Sequence, residues 1–293
     1  MKTENLVLQR VIARGGFGET ALVADTTTGK TFIRKESLYN DTVGMLHQYN
    51  MLKYLKDKNI CQEYFICPVK KYVQNGKTFI LFDYLDGYEH LQNIRFHHRI
   101  KSMNDKIEIC KKLVRAIHSL HRNNMVHVDI QPLNIMIHPE TKDVQIIDFG
   151  TAIIHTGKKM YDKNRPNDPF SVSPSFHMDE KKTFGEFKKN DMWVLGNLIY
   201  LFLFNKYPFL RTERQIEQAN SKLQHILGNQ TIVFFHKELG NLQQLQKKKQ
   251  QTSSQKKQNK VLPFLDSIKK KKQTSSQKKQ NKVLPFLDSI KKK

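Results

Sequence analysis

The chain has 293 residues, 38% of them hydrophobic, which is enough apolar material for one two-lobed domain or two small ones. The formal net charge is +23, but residues 247–293 hold 16 Lys against 2 Asp, so this tail supplies +14 and leaves a moderately basic +9 for the rest. Cys61, Cys67 and Cys110 lack zinc-type spacing and are too few for a disulfide framework, so reduced thiols are expected. The N-terminus shows no signal-like apolar region, and no apolar run reaches the roughly 18 residues of a membrane span. The reading excludes a secreted disulfide scaffold and a membrane-spanning chain. It predicts a soluble, intracellular protein, with the cytoplasm the first expectation and the nucleus the second, and a monomer.

The N-terminal third reads as strands. Val7 to Asp25 and Thr31 to Arg34 are punctuated by Thr27-Thr28-Gly29-Lys30, a hairpin-like turn. Val43, Leu46, Tyr49, Leu52 and Leu55 recur at helical spacing, which predicts a helix over Val43 to Lys56. Cys67 to Tyr72 and Thr78 to Tyr84 flank Asn75-Gly76, a favoured hairpin turn. Beyond this point the pattern turns helical. Lys106 to Asn123 carries the stripe Ile109, Leu113, Ala116, Ile117 and Leu120, and Val144 to Ile147 is a short apolar strand. Asp191 to Phe204 is apolar on most sides, as a buried helix is, and Glu213 to Leu227 offers one more helix.

A strand-rich third followed by a helix-rich remainder predicts an α+β domain of two lobes with a cleft between them. The small β-rich lobe covers about residues 1–85 and the helical lobe about 86–246. Residues 247–293 form a separate Lys/Gln-rich tail, in which 251–271 repeat letter for letter as 273–293. Two copies are fewer than a solenoid needs, and the composition predicts disorder, with VLPFLDSI the part able to pack or dock. Lysine clusters attract phosphates without sequence choice, so a non-specific anionic partner is one reading of the tail. A solvated tail is preferred, because no aromatic-rich surface accompanies the charge.

The chemistry-bearing stretches come in a fixed order. Ala13, Gly15, Gly16, Phe17 and Gly18 belong to a glycine-rich turn whose small residues let backbone N–H groups approach phosphates. Lys35 follows, 17 residues past Gly18, in Phe32-Ile33-Arg34-Lys35. His127 to Ile137 reads HVDIQPLNIMI, and Asp148-Phe149-Gly150 comes after a short strand. Val172 to Glu180 and then Asp191-Met192-Trp193-Val194-Leu195-Gly196 close the series.

This ordered set resembles the protein kinase family, in the manner of its Ser/Thr members, and the likeness covers about two-thirds of the chain. The resemblance implies a two-lobed kinase fold and transfer of the ATP γ-phosphate to Ser/Thr hydroxyls of a protein substrate. Asp129 would act on the substrate hydroxyl, and Lys35 would neutralise phosphate charge. Asn134 and Asp148 would hold Mg²⁺ through hard oxygen donors. Gln131 would touch the transferring phosphate. Ala13, Gly15, Gly16, Phe17, Gly18, Lys35 and Gln48 would form the nucleotide-facing set.

Several letters depart from the family pattern. Ala13 replaces the first loop glycine, and Val128 and Gln131 replace an Arg and a Lys of the catalytic loop. Gln48 stands where the family has a Glu that pairs with the strand Lys, so Lys35 is expected to gain a neutral partner in place of an ion pair. Glu36 and Asp41 are other acids near Lys35, though neither fits the register. Because Val128 replaces the Arg that grips a phosphorylated loop, activity is expected not to depend on loop phosphorylation. The helical lobe reads as shortened after residue 210. These departures define the alternative reading, a catalytically feeble kinase-like binding module.

Overall fold

Strand-forming letters in the first 85 residues produce five strands, with buried and half-buried sites alternating over 20–25 and continuous burial over 78–82. In the computed structural model they are β1 (Leu6–Gly15), β2 (Gly18–Asp25), β3 (Thr31–Glu36), β4 (Pro68–Gln74) and β5 (Lys77–Asp83). They form one antiparallel sheet in the order β1-β2-β3-β5-β4. The structure describes residues 3–15, 18–37, 42–61, 63–160, 173, 176, 181–208, 210, 212–228 and 232–235, all within the unit Met1–Glu238. The expectations placed on Gly16, Phe17, Asp41, Glu180 and the 247–293 tail lie outside these residues.

Turn chemistry fixes two of the hairpins, β2–β3 and β4–β5. Asp25 Oδ1 accepts from Thr27 N at 2.8 Å, and Gly29 sits at φ 69°. Asn75 and Gly76 have φ 52° and 74°, the left-handed pair that a tight two-residue hairpin requires. Helix α1 (Thr42–Asp57) packs on this sheet, and its buried face follows the apolar letters only in its second half, at Leu52 and Leu55. Val43 is 80% exposed and Leu46 is also exposed, while Met45, Gln48, Leu52 and Leu55 point inward. A buried glutamine therefore sits on the core face of this helix.

The segment between α1 and β4 is closed by a disulfide between Cys61 and Cys67, whose Cα atoms are 5.7 Å apart. This corrects the expectation of reduced thiols for these two. Cys110 is free and buried, and burial pushes its thiol pKa far up, so it stays protonated.

The helical lobe opens with the short α2 (Leu91–Phe96) and is built on α3 (Met103–Arg122) and α4 (Phe184–Phe204), with α5 (Glu213–Leu227) packed against α3. All five stripe residues of α3 are buried, and Ser102 caps it by accepting from Asp105 N. Helix α4 starts seven residues before the predicted Asp191, because Thr183 and Glu186 form a reciprocal capping box. Short pairings complete the lobe: β6 (Glu89–His90) with β8 (Ile135–Ile137) and β9 (Val144–Ile146), and β7 (Met125–Val126) with β10 (Ile153–Ile154). Among the described residues no helix is long and apolar enough to cross a membrane.

Gly196 shows why α4 needs a glycine in its middle. A Cβ there would stand 2.7 Å from the Phe234 Cβ and 2.9 Å from the Phe235 ring. Asn220 of α5 fixes that pair, accepting from Phe234 N at 3.1 Å and Phe235 N at 2.9 Å. The Phe235 ring then meets Trp193 edge-on at 5.3 Å.

Candidate active site

The sheet and the helical lobe flank a cavity of about 390 Å³. Its walls are mainly apolar, with Ile12, Ala13, Ile33, Phe82, Leu133 and Met136 among the lining residues, and Lys35, Gln48, Asn134 and Asp148 supply polar groups. An apolar slot with a few convergent polar groups is the general form of a small-molecule site.

Each polar group is placed by the element that carries it. Lys35 pairs with Thr20 on one side and Ile80 on the other, so β3 is held in the middle of the sheet. Its Nζ lies 3.1 Å from Asp148 Oδ1. The alternation of the strand sends Arg34 elsewhere, to Glu36 and over the Phe79 ring. Glu36 also takes Lys77, so it is committed away from Lys35.

Gln48 Nε2 donates to Asp148 Oδ1 at 3.2 Å. The expected Lys35–Gln48 contact is corrected: among the described residues, lysine and amide both go to the same aspartate oxygen. Gly150 N adds a third donor there at 3.3 Å. Burial pushes the Asp148 carboxyl pKa up, but the Lys35 ammonium, helped by its hydrogen bond and that of Gly150, holds it below the ordinary value on balance. Asp148 therefore stands ionised in the cleft at neutral pH.

In the same lobe as Asp148, Asp129 Oδ2 accepts from Asn134 Nδ2 at 2.8 Å and from Gln131 Nε2 at 3.0 Å. Asn134 Nδ2 also reaches Asp129 O at 2.9 Å. The Asn134 amide nitrogen is thus spent within the loop, which leaves its oxygen as the acceptor side. Gln131, expected to serve a phosphate, is seen holding Asp129.

His127 is fully buried and fixed by two bonds that settle its tautomer. Its Nδ1 accepts from Asp129 N at 3.3 Å, so the proton sits on Nε2, which donates to Ile147 O at 3.1 Å. Its ring meets Phe149 at 4.8 Å, and Phe149 meets Phe65 at 5.8 Å. Asp191, which carried only a structural expectation, clamps the loop from below. Its two carboxylate oxygens accept from His127 N and Val128 N, each at 3.0 Å, and His121 Nε2 lies 3.0 Å from Oδ2.

That clamp holds a strained residue. Val128 has φ 71°, a left-handed conformation that a β-branched side chain resists, and Asp148 has φ 63°. The Val128 side chain is buried with Val126, Ile153, Phe176, Phe184 and Phe187. Where the family pattern has an Arg, this loop is anchored by apolar packing.

Gly18 ends the glycine-rich turn at φ 137°, and a Cβ on it would meet Glu36 O at 2.0 Å. Gly15 pairs with it across the turn. Sequence reasoning missed Phe82, Leu133 and Met136 as cleft walls. Their signal was available: each sits beside a motif letter or at the end of an apolar strand.

The comparisons agree with this geometry. The Protein kinase domain family matches residues 6–283. Calcium-dependent protein kinase 4 of Plasmodium berghei is 27% identical over 211 residues, covering 68% of this chain and 37% of that protein. Serine/threonine-protein kinase Nek3 of Mus musculus is 26% identical over 225 residues, covering 74% of this chain and 40% of its own length. A probable serine/threonine-protein kinase of Dictyostelium discoideum is 24% identical over 248 residues, covering 77% and 52%. The matched stretch thus spans between about a third and a half of each of these relatives. The fold and the family match define the class: this chain belongs to the protein kinase family.

The family generally works with ATP and Mg²⁺. The donor set fits that pair. Asp148 offers an ionised carboxylate and Asn134 an amide oxygen, both hard ligands suited to Mg²⁺, and Lys35 offers a cation for phosphate. The apolar walls suit a planar base.

Proposed function

We propose that this chain transfers the γ-phosphate of ATP to Ser or Thr hydroxyls of a protein substrate. The observation that carries the reading is the meeting of two polar sets at one apolar cleft: Lys35 on Asp148 at 3.1 Å, and Asp129 tied to Asn134 at 2.8 Å, with Ile147 N donating to Asn134 O at 2.9 Å between them. The Ser/Thr preference is supported by the Gln131-Pro132-Leu133-Asn134 letters and by the names of the relatives.

In this reading each residue has a task. Lys35 offsets phosphate charge. Asp148 and Asn134 supply the oxygens for Mg²⁺, which when bound neutralises charge on the phosphates. Asp129 accepts a hydrogen bond from the substrate hydroxyl and orients it for attack. Gln131 and Asn134 hold the Asp129 carboxylate, and the Asp191 clamp fixes the backbone of the loop that carries it. Positioning and charge compensation are what phosphoryl transfer chiefly needs from a protein.

Radiolabelled ATP, Mg²⁺ and a generic Ser/Thr protein substrate test the proposal. Phosphoserine or phosphothreonine should form with the native chain and fall to background with Asp129→Asn, while nucleotide affinity stays nearly unchanged. Equal transfer by the two proteins would remove Asp129 from its role. Nucleotide binding without transfer by the native chain would favour the feeble binding module.

A further inference from the structure

We infer that Gln48 is a positioning residue for the Asp148 carboxylate, not for Lys35, and thereby sets how readily the cleft takes a divalent cation. The inference rests on the kinase reading above and deepens it.

Gln48 is 4% exposed, on a helix face otherwise made of Met45, Leu52 and Leu55. A buried amide must find partners, since an unpaired one loses its hydration with nothing in exchange. The partner found is Asp148 Oδ1, at 3.2 Å from Nε2. That oxygen also accepts from Lys35 Nζ at 3.1 Å and Gly150 N at 3.3 Å. Three donors arriving from α1, β3 and the following loop restrict rotation of the carboxylate. They leave Oδ2 without a hydrogen bond among the described residues, and so open to a cation.

The three donors are not equivalent. Lys35 is charged, and an anionic ligand competes with Asp148 for it. The Gln48 amide is neutral, so an anionic ligand draws it less strongly, and it keeps Oδ1 in place when the lysine is drawn to phosphate. A carboxylate at position 48 could not do this, because when ionised it has no proton to donate. The glutamine is therefore suited to the aspartate, and a Lys35-directed role would leave the observed bond unexplained.

The test uses the full chain, a fluorescent ATP analogue, and Mg²⁺ as the titrant. The variants are Gln48→Leu and Gln48→Met, both neutral and without a donor. The Met variant carries the measurement if the Leu variant melts out. Binding of the analogue is measured in chelator and across a Mg²⁺ series. The expected result is a rise of about three- to ten-fold in the Mg²⁺ needed for half-maximal binding, the range of the net contribution of one hydrogen bond. Any loss of affinity in chelator should be smaller than the rise in the Mg²⁺ requirement, and neither substitution should add to the effect of Asp148→Asn.

A loss of affinity in chelator with an unmoved Mg²⁺ requirement would overturn the inference and return Gln48 to Lys35. No change in either quantity would make Gln48 a spectator of the core. If the native chain binds no nucleotide with or without Mg²⁺, the kinase reading falls and takes this inference with it. If it binds and only the variants fail to differ, the inference alone falls.

Discussion

Val128 joins two facts that a sequence cannot join: a left-handed backbone and a side chain only 3% exposed. Restoring the family's Arg here would drive a guanidinium into the cluster of Ile153, Phe176, Phe184 and Phe187. An unpaired buried charge is among the costliest changes a core can suffer. Val128→Arg is expected to lower stability by about 3 kcal/mol or more, measured by urea melts, and to lower any transfer activity with it. Asp148 gives a pH prediction of the opposite kind. Its folded pKa lies below the ordinary carboxylate value, so its contribution to stability is full above that value and is lost as pH falls through the lower, folded one. Comparing melts of the native chain and Asp148→Asn from neutral to acid pH should show their stability difference shrinking below about pH 4. A difference that stays constant across that range would mean that Lys35 does not hold the carboxyl ionised.

At the scale of elements, two glycines and one loop closure shape the scaffold around the cleft. Gly196→Ala would overpack α4 against Phe234 and Phe235, where the Cβ has 2.7 Å of room. Overpacking a filled core costs about 1–3 kcal/mol, so a clear drop in melting temperature is expected, recovered in part by trimming Phe235, whose ring atoms stand 2.9 Å away, to Leu. Gly18→Ala has no such remedy, because the obstacle at 2.0 Å is the backbone oxygen of Glu36. The Cys61–Cys67 bridge closes a short loop that also presents Phe65 to Phe149. Closing so short a loop stabilises a fold by about 2 kcal/mol in the chain-entropy view. Dithiothreitol or Cys61→Ser should therefore lower the melting midpoint. An unchanged midpoint would show the thiols to be unpaired in solution.

At the scale of the whole molecule, the two walls of the cleft belong to different lobes, so a ligand that touches both should stabilise the domain as a unit. Mg²⁺–ATP at about 100 times its Kd adds about 2.7 kcal/mol by mass action if it binds only the folded chain. A thermal shift with Mg²⁺–ATP, reduced in Lys35→Met and in Asp148→Asn, is the expected outcome. A shift that survives both substitutions would place the nucleotide elsewhere.

The sequence by itself determined the strand-rich then helix-rich order of the main elements, two hairpin turns and the positions of Lys35, Asp129, Asn134 and Asp148 in their segments. These rest on local rules: period-two alternation, turn residues with positive φ, and short motifs whose spacing is set by the chain between them. The tertiary structure alone decided which face of α1 is buried, because the apolar letters Val43 and Leu46 point outward and a glutamine points in. It decided that Gln48 serves Asp148, that Asp191 clamps the catalytic loop, and that Phe234 and Phe235 fill the notch left by Gly196. Each of these joins residues from about 40 to 100 positions apart. No local pattern encodes such a meeting, because it depends on how separately formed elements pack and on which buried polar groups are then left to satisfy one another.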